Sequence, residues 1–311
     1  MSLALDGLLA IALVVLALQV VTGASLFRSI VMFVVFGLVM ALAWARLRAP
    51  NLALAEAAIG AGISGALLML GYRRLRAAGP EATRPGPRSS RLAAPLSLLV
   101  AGLVASLGWT ALGLPEALGA AGAAVVAAMP SQAVANPVTA VLLVFRGYDT
   151  LLELAVLLVA LAGARAVEGP AGPADLAIPT MTGLPIVGAL LAALVPLSVL
   201  VAGYLLHAGG NAPGGAFQGG AVLAAAGVLL VLTGRLVPHP VPGPVERWGA
   251  VLGLLVFSAL GLVMLARGQG MLSMPGAWSI YLVESAMLVS IATTLVLLLG
   301  AAPGLRRGPL P

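Results

Sequence analysis

The sequence predicts an all-α, polytopic integral membrane protein with about nine transmembrane helices. Hydrophobic residues make up 61% of the 311 residues and charged residues only 8%. The mean hydropathy of +1.12 is above what a water-soluble domain of this length shows. The apolar residues fall into runs of about 20, the length that crosses a bilayer as a helix. The predicted spans are residues 3–22, 27–46, 52–72, 93–113, 141–164, 185–207, 216–235, 247–266 and 279–300.

The composition argues against several functional classes. Cysteine is absent, and the two histidines, His207 and His239, are too few for a multi-histidine metal cluster. We therefore expect no cofactor and no enzymatic activity in this chain. All 16 basic residues are arginine and the net charge is +6. Because these arginines cluster in the loops of a membrane protein, they indicate orientation and not nucleic-acid binding.

The arginine distribution predicts the orientation of the chain. The segment 73–91 is rich in Arg, Pro and Gly, and we place it in the cytoplasm. That assignment puts 12 arginines inside, against four elsewhere (Arg46, Arg48, Arg146 and Arg267). The N-terminus then faces outward and the C-terminus faces the cytoplasm. The first apolar run carries Asp6 and lacks a basic n-region, so we expect a span there and not a cleaved signal peptide.

Two polar linkers, residues 77–92 and 169–184, divide the chain into three blocks. The blocks are residues 1–76 with three spans, 93–168 with two spans and 185–311 with four spans. Residues 114–135 are weakly apolar and rich in Ala and Gly. We expect this segment to be an external loop with a piece lying on the surface, and not a tenth span.

The middle block carries three charges beside apolar sequence. Arg146, Asp149 and Glu153 stand at i, i+3 and i+7, which would place them on one face of a continuous helix. A charge at bilayer depth costs about 3 kcal/mol on insertion scales, so such residues usually face protein or a water-filled path. Arg146 is the charge partner expected for Asp149, whereas Glu153 has no partner in sequence. The alternative is an ion pair that only anchors the start of the helix.

The third span carries Glu56 about one turn inside the membrane. Gly60, Gly62 and Gly65 follow on neighbouring helical faces. Small residues allow close helix packing, and glycines make a π-bulge or a local rotation less costly. Glu56 is thus either a protonatable carboxylate on a mobile helix or a packing residue that bonds a neighbouring helix.

The last block contains a glycine-rich turn, LLHAGGNAPGGAFQGG, between two spans. Asn can bond the backbone, Pro fixes φ, and the glycines are free to adopt positive φ. The spacing matches neither a P-loop nor a dinucleotide fingerprint. At membrane depth such a turn needs protein or water around its backbone groups. We assign to this structural turn the residues Asn211, Pro213, Gly214, Gly215, Gly219 and Gly220.

Two further polar residues of the last block are candidates for ion translocation. His207 precedes the turn and either relays protons or caps helix carbonyls. Glu284 lies about one and a half turns into the last span, and either lines an ion path or contacts another subunit. The remaining acids fall at span ends or in loops and are expected to be solvated charges: Asp6, Glu81, Glu116, Glu168, Asp175 and Glu246.

These motifs resemble one family. HAGGNAPGGAFQGG followed by a YLVESAMLVS span is similar to the B subunit (MnhB) of Mrp-type sodium/proton antiporters, with its GHNxPGGGFxGG turn. APNLALAEAAIGAGISGALL and FRGYDTLLE resemble the PDLALTQ and DFRGFDTLGE segments of the A-subunit tail, and equally the D and E subunits of membrane-bound hydrogenases. The sequence departs from these patterns at Gly210 in place of the histidine, at Asn51 in place of the leading acid, and at Leu152 in place of the glycine.

The resemblance implies a subunit of a multisubunit complex in the bacterial inner membrane. Its partners would be large antiporter-like membrane subunits and other small subunits, and its ions H⁺ or Na⁺. Glu56, Asp149 and Glu153 would then lie on the ion pathway, while the glycine turn would shape one end of it. Two alternatives remain, a subunit of a complex-I-like or hydrogenase-like redox assembly and a structural scaffold. The long antiporter-like portion of the A subunit is missing, so the chain alone is not expected to be a complete transporter.

Overall fold

The computed structural model describes residues 2–77, 79, 93–114, 119–167, 184–236 and 242–300, and these residues form helices joined by turns, with no strand among them. The helices are α1 (Ser2–Thr22), α2 (Leu26–Arg46), α3 (Pro50–Ala55), α4 (Ser64–Ala77), α5 (Ala93–Leu112), α6 (Ala120–Ala128), α7 (Pro137–Thr139), α8 (Gly147–Val167), α9 (Pro185–Ala208), α10 (Ala216–Leu232), α11 (Pro244–Ala266) and α12 (Ala277–Gly300). The all-α membrane fold that the composition predicts is confirmed.

Eight helices in the described part of the chain are long and apolar enough to cross a membrane. They correspond to eight of the nine predicted spans. The remaining predicted span, residues 216–235, corresponds to the 17-residue helix α10, which ends at Leu232 before a turn. At 1.5 Å per residue it is about 25 Å long, slightly less than the ~30 Å hydrocarbon core of a bilayer. The apolar helix within residues 114–135 is also shorter than a span.

Two π-helical segments interrupt the helices at the places where the candidate charges lie. The π-helical segment Glu56–Ile63 joins α3 to α4. It is the π-bulge that the glycines of this segment make less costly. Ala140–Phe145 joins α7 to the break before α8. Arg146 occupies that break with φ −131° and ψ 38°, outside helical geometry. The predicted continuous helix over residues 141–164 is therefore wrong at Arg146.

The local chemistry of the break explains it. The Arg146 N–H donates to the Val141 carbonyl, five residues back, over 2.8 Å. The Thr150 hydroxyl donates to the Leu142 carbonyl over 2.6 Å, and so satisfies an acceptor that a regular α-helix would use. Gly147 follows, and a Cβ there would stand 3.6 Å from Leu272 and Phe257. The start of α8 therefore packs against the loop and helix of the last block.

Proline and capping residues set the starts of several helices. Proline occupies the first turn of α3, α7, α9 and α11, where its missing N–H has no helical partner to lose. Asn136 caps α7 by accepting from the Val138 N–H over 3.1 Å, and Ser25 caps α2 in the same way. In α11 the Glu246 carboxylate accepts from the Gly243 N–H over 2.7 Å.

The core forms around α12, which packs against α8, α9, α10 and α11. Phe257, Val283 and Ile291 are fully buried there. Ile63 from the first block and Leu143 from the middle block belong to the same buried cluster. The three blocks therefore share one hydrophobic core. Helix α5 differs, since none of its described residues is buried.

Several sequence predictions fall outside the described residues. They concern most of the linker 77–92, residues 168–183 of the second linker, and the C-terminal residues after Gly300. The acids Glu81, Glu116, Glu168 and Asp175 and the histidine His239 lie there as well. Among the described acids, Asp6 pairs with Arg46, with 2.7 Å between Oδ1 and Nε. The orientation of the chain stays a prediction.

Candidate functional site

The glycine-rich segment forms a tight turn between α9 and α10. Gly214 and Gly215 have φ values of 157° and 114°, in the region that favours glycine. The Gly215 N–H donates back to the Leu205 carbonyl over 2.7 Å. A Cβ on Gly214 would overlap that same carbonyl, so only glycine fits there. Asn211 is exposed on the turn. The predicted turn geometry is thus present.

Side chains from the two other blocks hold this turn. The Asn51 Oδ1 accepts from the Gly214 N–H over 2.9 Å. The Asn136 amide donates to the carbonyls of Gly209 and Ala212 over 2.8 and 2.9 Å. Asn51 and Asn136 are both buried. Because each comes from a different block, the turn is the point where all three blocks meet.

A second residue of the middle block reinforces this contact. The Thr139 hydroxyl donates to the Gly209 carbonyl over 2.5 Å. The N–H groups of Ala135 and Asn136 both donate to the Gly210 carbonyl over 2.9 Å. Buried carbonyls of an irregular turn need such partners, since an unpaired buried polar group costs about 1–3 kcal/mol. The turn is therefore satisfied by protein and not left to solvent.

The two glycines after the turn serve helix packing. A Cβ on Gly219 would stand 2.9 Å from the Ala202 carbonyl oxygen of α9. A Cβ on Gly220 would stand 3.0 Å from Ile291 of α12. Both glycines are buried, and both let α10 approach its neighbours closely.

Glu284 of α12 lies against the turn. Only 5% of this residue is exposed. The Ala216 backbone N–H, at the start of α10, donates to its carboxylate. Its Oε1 lies 3.1 Å from the position that a Cβ of Gly215 would take, and 3.4 Å from that of Gly209. The partial positive charge at the N-terminus of α10 favours a carboxylate here. Glycines on the turn leave the space that this carboxylate occupies.

Glu153 and Glu284 line the same cavity. Its volume is about 250 Å³, and its wall also includes Asn51, Thr150 and Gln218. Glu153 is exposed on α8, whereas Glu284 is buried. The two carboxylates that the sequence places in separate blocks are thus brought to one space.

A second cavity, of about 160 Å³, lies on the other side of Glu284. His207, Gly210, Asn211 and Tyr281 line it together with Glu284. His207 is exposed near the end of α9. Glu284 is therefore a wall residue of both cavities.

Arg146 and Asp149 lie away from the two cavities. They form an ion pair of 2.7 Å between Nε and Oδ2, with 68% and 50% of their side chains exposed. The pairing that their spacing suggests is present. Arg146 does not share a helical face with Asp149 and Glu153, because α8 begins only at Gly147.

Glu56 begins the π-helical segment and is half-buried. Its carboxylate lies over Gly60 of the same helix, where any larger residue would overlap it. Its neighbour Ala55 lines the larger cavity, but Glu56 lines neither of the two cavities described above. Gly62 and Gly65 lie on the same segment and the turn after it, and a Cβ on Gly65 would stand 2.6 Å from Val34 of α2.

Sequence reasoning does not identify the residues that hold the turn as functional positions. In the sequence Asn51 stands out only as a departure from a family pattern, and the motifs described above include neither Asn136 nor Thr139. Asn136 stands directly before a proline that begins a helix, the pattern of a capping residue. That pattern predicts the cap. It does not reveal that the amide group also reaches Gly209, 73 residues away.

Comparisons with known proteins match both ends of the chain. Residues 11–77 match the family model MbhD, the D subunit of MBH. Residues 186–302 match the model MnhB, a domain related to the MnhB subunit of Na⁺/H⁺ antiporter. No curated protein matches the chain.

One solved structure has a similar fold, that of the Mrp complex from Dietzia sp. DQ12-45-1b. The TM-score is 0.77 and the sequence identity is 21%, over 98% of this chain. The match covers 35% of the other chain, so this protein spans about a third of the length of the chain it resembles.

The fold and the apolar helices define a multi-pass α-helical membrane protein. Within that class, residues 11–77 are similar to the MbhD family and residues 186–302 to the MnhB-related family, and the fold is similar to that of a chain of an Mrp complex. The resemblance that the turn and the APNLALAEAAIG segment indicate is confirmed.

Proposed function

We propose that this chain is a membrane subunit of an Mrp-like multisubunit cation/proton antiporter in the bacterial inner membrane. Its intramembrane carboxylates contribute to the translocation of H⁺ or Na⁺. The observation that carries the proposal is the convergence of Glu153 and Glu284 on one cavity beside the glycine turn. Carboxylates at membrane depth are costly, and they are typical of ion and proton pathways.

The candidate residues are assigned to different parts of the proposed ion path. Glu153 and Glu284 line one cavity, the first exposed and the second buried, so these two carry the central part of the path. His207 is exposed and lines the second cavity. Glu56 and Asp149 would act at the edges of the path, through the π-helical segment and the exposed ion pair.

The partners in this proposal are large antiporter-like membrane subunits together with other small subunits. Helix α5 is apolar and has no buried residue among those described, so its surface is open to other subunits as well as to lipid. Purification from native membranes in mild detergent, followed by mass spectrometry, tests the assembly. Co-purified antiporter-like subunits support the proposal, whereas isolation of the chain alone contradicts it.

Transport is tested with the carboxylates themselves. Glu153→Gln keeps the size of the side chain but removes its charge and its exchangeable proton. Loss of ion flux with an intact assembly supports conduction. Loss of the assembly supports instead a scaffold role, in which the acids are subunit contacts.

A second candidate function is favoured by the match of residues 11–77 to the MbhD model. In that case the chain is an ion-translocating subunit of a hydrogenase-like or complex-I-like redox assembly, and the redox centres lie in partner chains. Co-purification of peripheral subunits that carry iron–sulfur clusters distinguishes this function from a secondary antiporter.

A further inference from the structure

Glu284 lines two cavities. The larger one is also lined by Glu153, which is exposed on α8. The smaller one is also lined by His207 and Asn211, which are exposed at the end of α9 and on the turn. One buried carboxylate is thus shared by two spaces, and each space has an exposed titratable or polar residue in its wall.

The turn is recessed relative to the helix that carries Glu284. Helix α12 begins at Ala277, and Glu284 follows seven residues later, so it lies about 10 Å along the helix. The Ala216 N–H at the start of α10 meets the carboxylate at this depth. Helix α10 has 17 residues, against 24 for α12. The smaller cavity is the recess that remains above the turn.

The barrier between the two cavities is thin because the turn lacks side chains. Gly215 lines the larger cavity and Gly210 the smaller one. The positions where Cβ atoms of Gly209 and Gly215 would stand lie within 3.4 Å of the Glu284 Oε1. A methyl group at either place would crowd the carboxylate. Glu284 and the bare backbone of the turn therefore contribute to the walls of both spaces.

We propose that a proton path runs from the surface at His207 and Asn211, through Glu284 of the MnhB-related domain, to Glu153 on α8 of the middle block. The proposal rests on the proposed function, which supplies the partner subunit that receives the proton at Glu153. Glu284 takes a proton from water in the smaller cavity and releases it to water in the larger one, where Glu153 takes it up. Each step breaks one O–H bond and forms another, so charge and atoms balance without a further reactant.

The lining of the larger cavity is largely apolar, with Leu52, Leu143 and Phe217 among its residues. Its titratable side chains are Glu153 and Glu284. A volume of about 250 Å³ holds several water molecules, since each takes ~30 Å³ in the liquid. Such water can carry a proton between the two carboxylates.

The first test closes the smaller cavity from outside. The chain has no cysteine, so Asn211→Cys introduces a single reactive thiol at the mouth of the recess. The whole complex is reconstituted in proteoliposomes that contain a pH-sensitive dye. A charged, membrane-impermeant methanethiosulfonate reagent is then added on both faces. Proton flux should fall in Asn211→Cys, and it should recover when a reductant removes the adduct.

Ser131→Cys is the matched control for this test. Ser131 is exposed in the loop before Asn136 and lines neither cavity. Its modification should leave proton flux unchanged, as should treatment of the parent complex. Full proton flux through the fully modified Asn211→Cys complex would overturn the proposed path.

The second test removes the central carboxylate. Glu284→Gln keeps an acceptor oxygen for the Ala216 N–H but cannot exchange a carboxyl proton, so proton flux should fall by about tenfold or more. Glu246→Gln is the control, because Glu246 caps α11 away from both cavities and glutamine also serves in a capping box. A Glu284→Gln complex that assembles and keeps its proton flux overturns the proposal.

Parallel measurements separate the path from the proposed function. If Glu153→Gln abolishes transport while Glu284→Gln and the Asn211 adduct do not, the path through Glu284 is wrong and the antiporter function stands. If none of the three changes reduces transport, the proposed function fails as well. Uptake of radioactive Na⁺ by the same vesicles decides the ion. Loss of Na⁺ uptake with unchanged proton flux in Glu284→Gln would contradict a proton path.

Discussion

The Asn51 Oδ1 accepts a hydrogen bond from the Gly214 N–H over 2.9 Å, and this contact joins residues that are 163 positions apart in sequence. Asn51 belongs to the MbhD-like module and Gly214 to the MnhB-related domain. The Gln218 amide donates to the Asn51 carbonyl over 3.3 Å and strengthens the same junction. The fusion of the two modules in one chain thus coincides with a specific polar contact at the candidate site.

The Asn51 contact leads to the first prediction. Asn51→Ala leaves the buried Gly214 N–H without a partner, which should cost about 1–3 kcal/mol. The unfolding temperature of the purified complex should therefore decrease, and the measurement is a thermal unfolding curve from tryptophan fluorescence. Asn211→Ala is the control, because Asn211 is an exposed residue of the same turn. Equal losses in Asn51→Ala and Asn211→Ala would contradict the role of the hydrogen bond.

The second prediction concerns Thr139. Thr139→Val keeps the shape of the side chain but removes the hydroxyl that donates to the Gly209 carbonyl. We expect a loss of about 1–3 kcal/mol, because the carbonyl is buried and the new methyl group cannot pair with it. Thr139→Ser retains the hydroxyl and should lose clearly less. Chemical denaturation of the detergent-solubilised complex measures both variants, and a Thr139→Val complex as stable as the parent would show that the hydroxyl contributes nothing to the turn.

The third prediction concerns the backbone of the turn. Gly215 has a φ of 114°, and a Cβ there would stand 3.1 Å from the Glu284 Oε1. Gly215→Ala should therefore cost about 1–3 kcal/mol in backbone strain and displace the carboxylate. Gly71→Ala is the control, since Gly71 lies in α4 with nothing within 4 Å of the added methyl group. Alanine favours the helix there by about 0.5–1 kcal/mol. An unfolding temperature of Gly215→Ala equal to or higher than that of Gly71→Ala would refute this account.

The sequence predicts the membrane fold, the turn and the candidate carboxylates, because each depends on local chemistry. Runs of about 20 apolar residues indicate spans, and the Pro-Gly-Gly sequence after Asn211 indicates a turn with positive φ. The break at Arg146 is different. It depends on a π-segment and on the Thr150 hydroxyl, and the periodicity of residues 141–164 gives no sign of it.

The convergence of Glu153 and Glu284 also escapes local reasoning. The two residues lie in different blocks, and only the packing of α8 against α12 brings them to one cavity. The same holds for Asn136, whose partners lie in another block. Spacing along one helix predicts a shared face, but it does not predict which helix will lie opposite.

The fourth prediction separates the exposed ion pair from the buried path. Asp149 pairs with Arg146 over 2.7 Å, but both side chains are at least half exposed. Exposed ion pairs contribute about 0–1 kcal/mol, so Asp149→Asn should change the stability of the complex by no more than that. If Asp149 acts at the edge of the ion path, transport should fall while stability and assembly stay unchanged.

The control for this experiment is Arg146→Gln, which breaks the same ion pair and leaves the carboxylate in place. Equal stability of the two variants, with lower ion flux only in Asp149→Asn, assigns the effect to the carboxylate itself. Equal losses of flux in both variants assign it to the pair, which would then hold the start of α8 and so the position of Glu153, four residues further along the helix. Unchanged flux in both variants would remove Asp149 from the pathway and leave Glu153 as the acid of α8 that acts in transport.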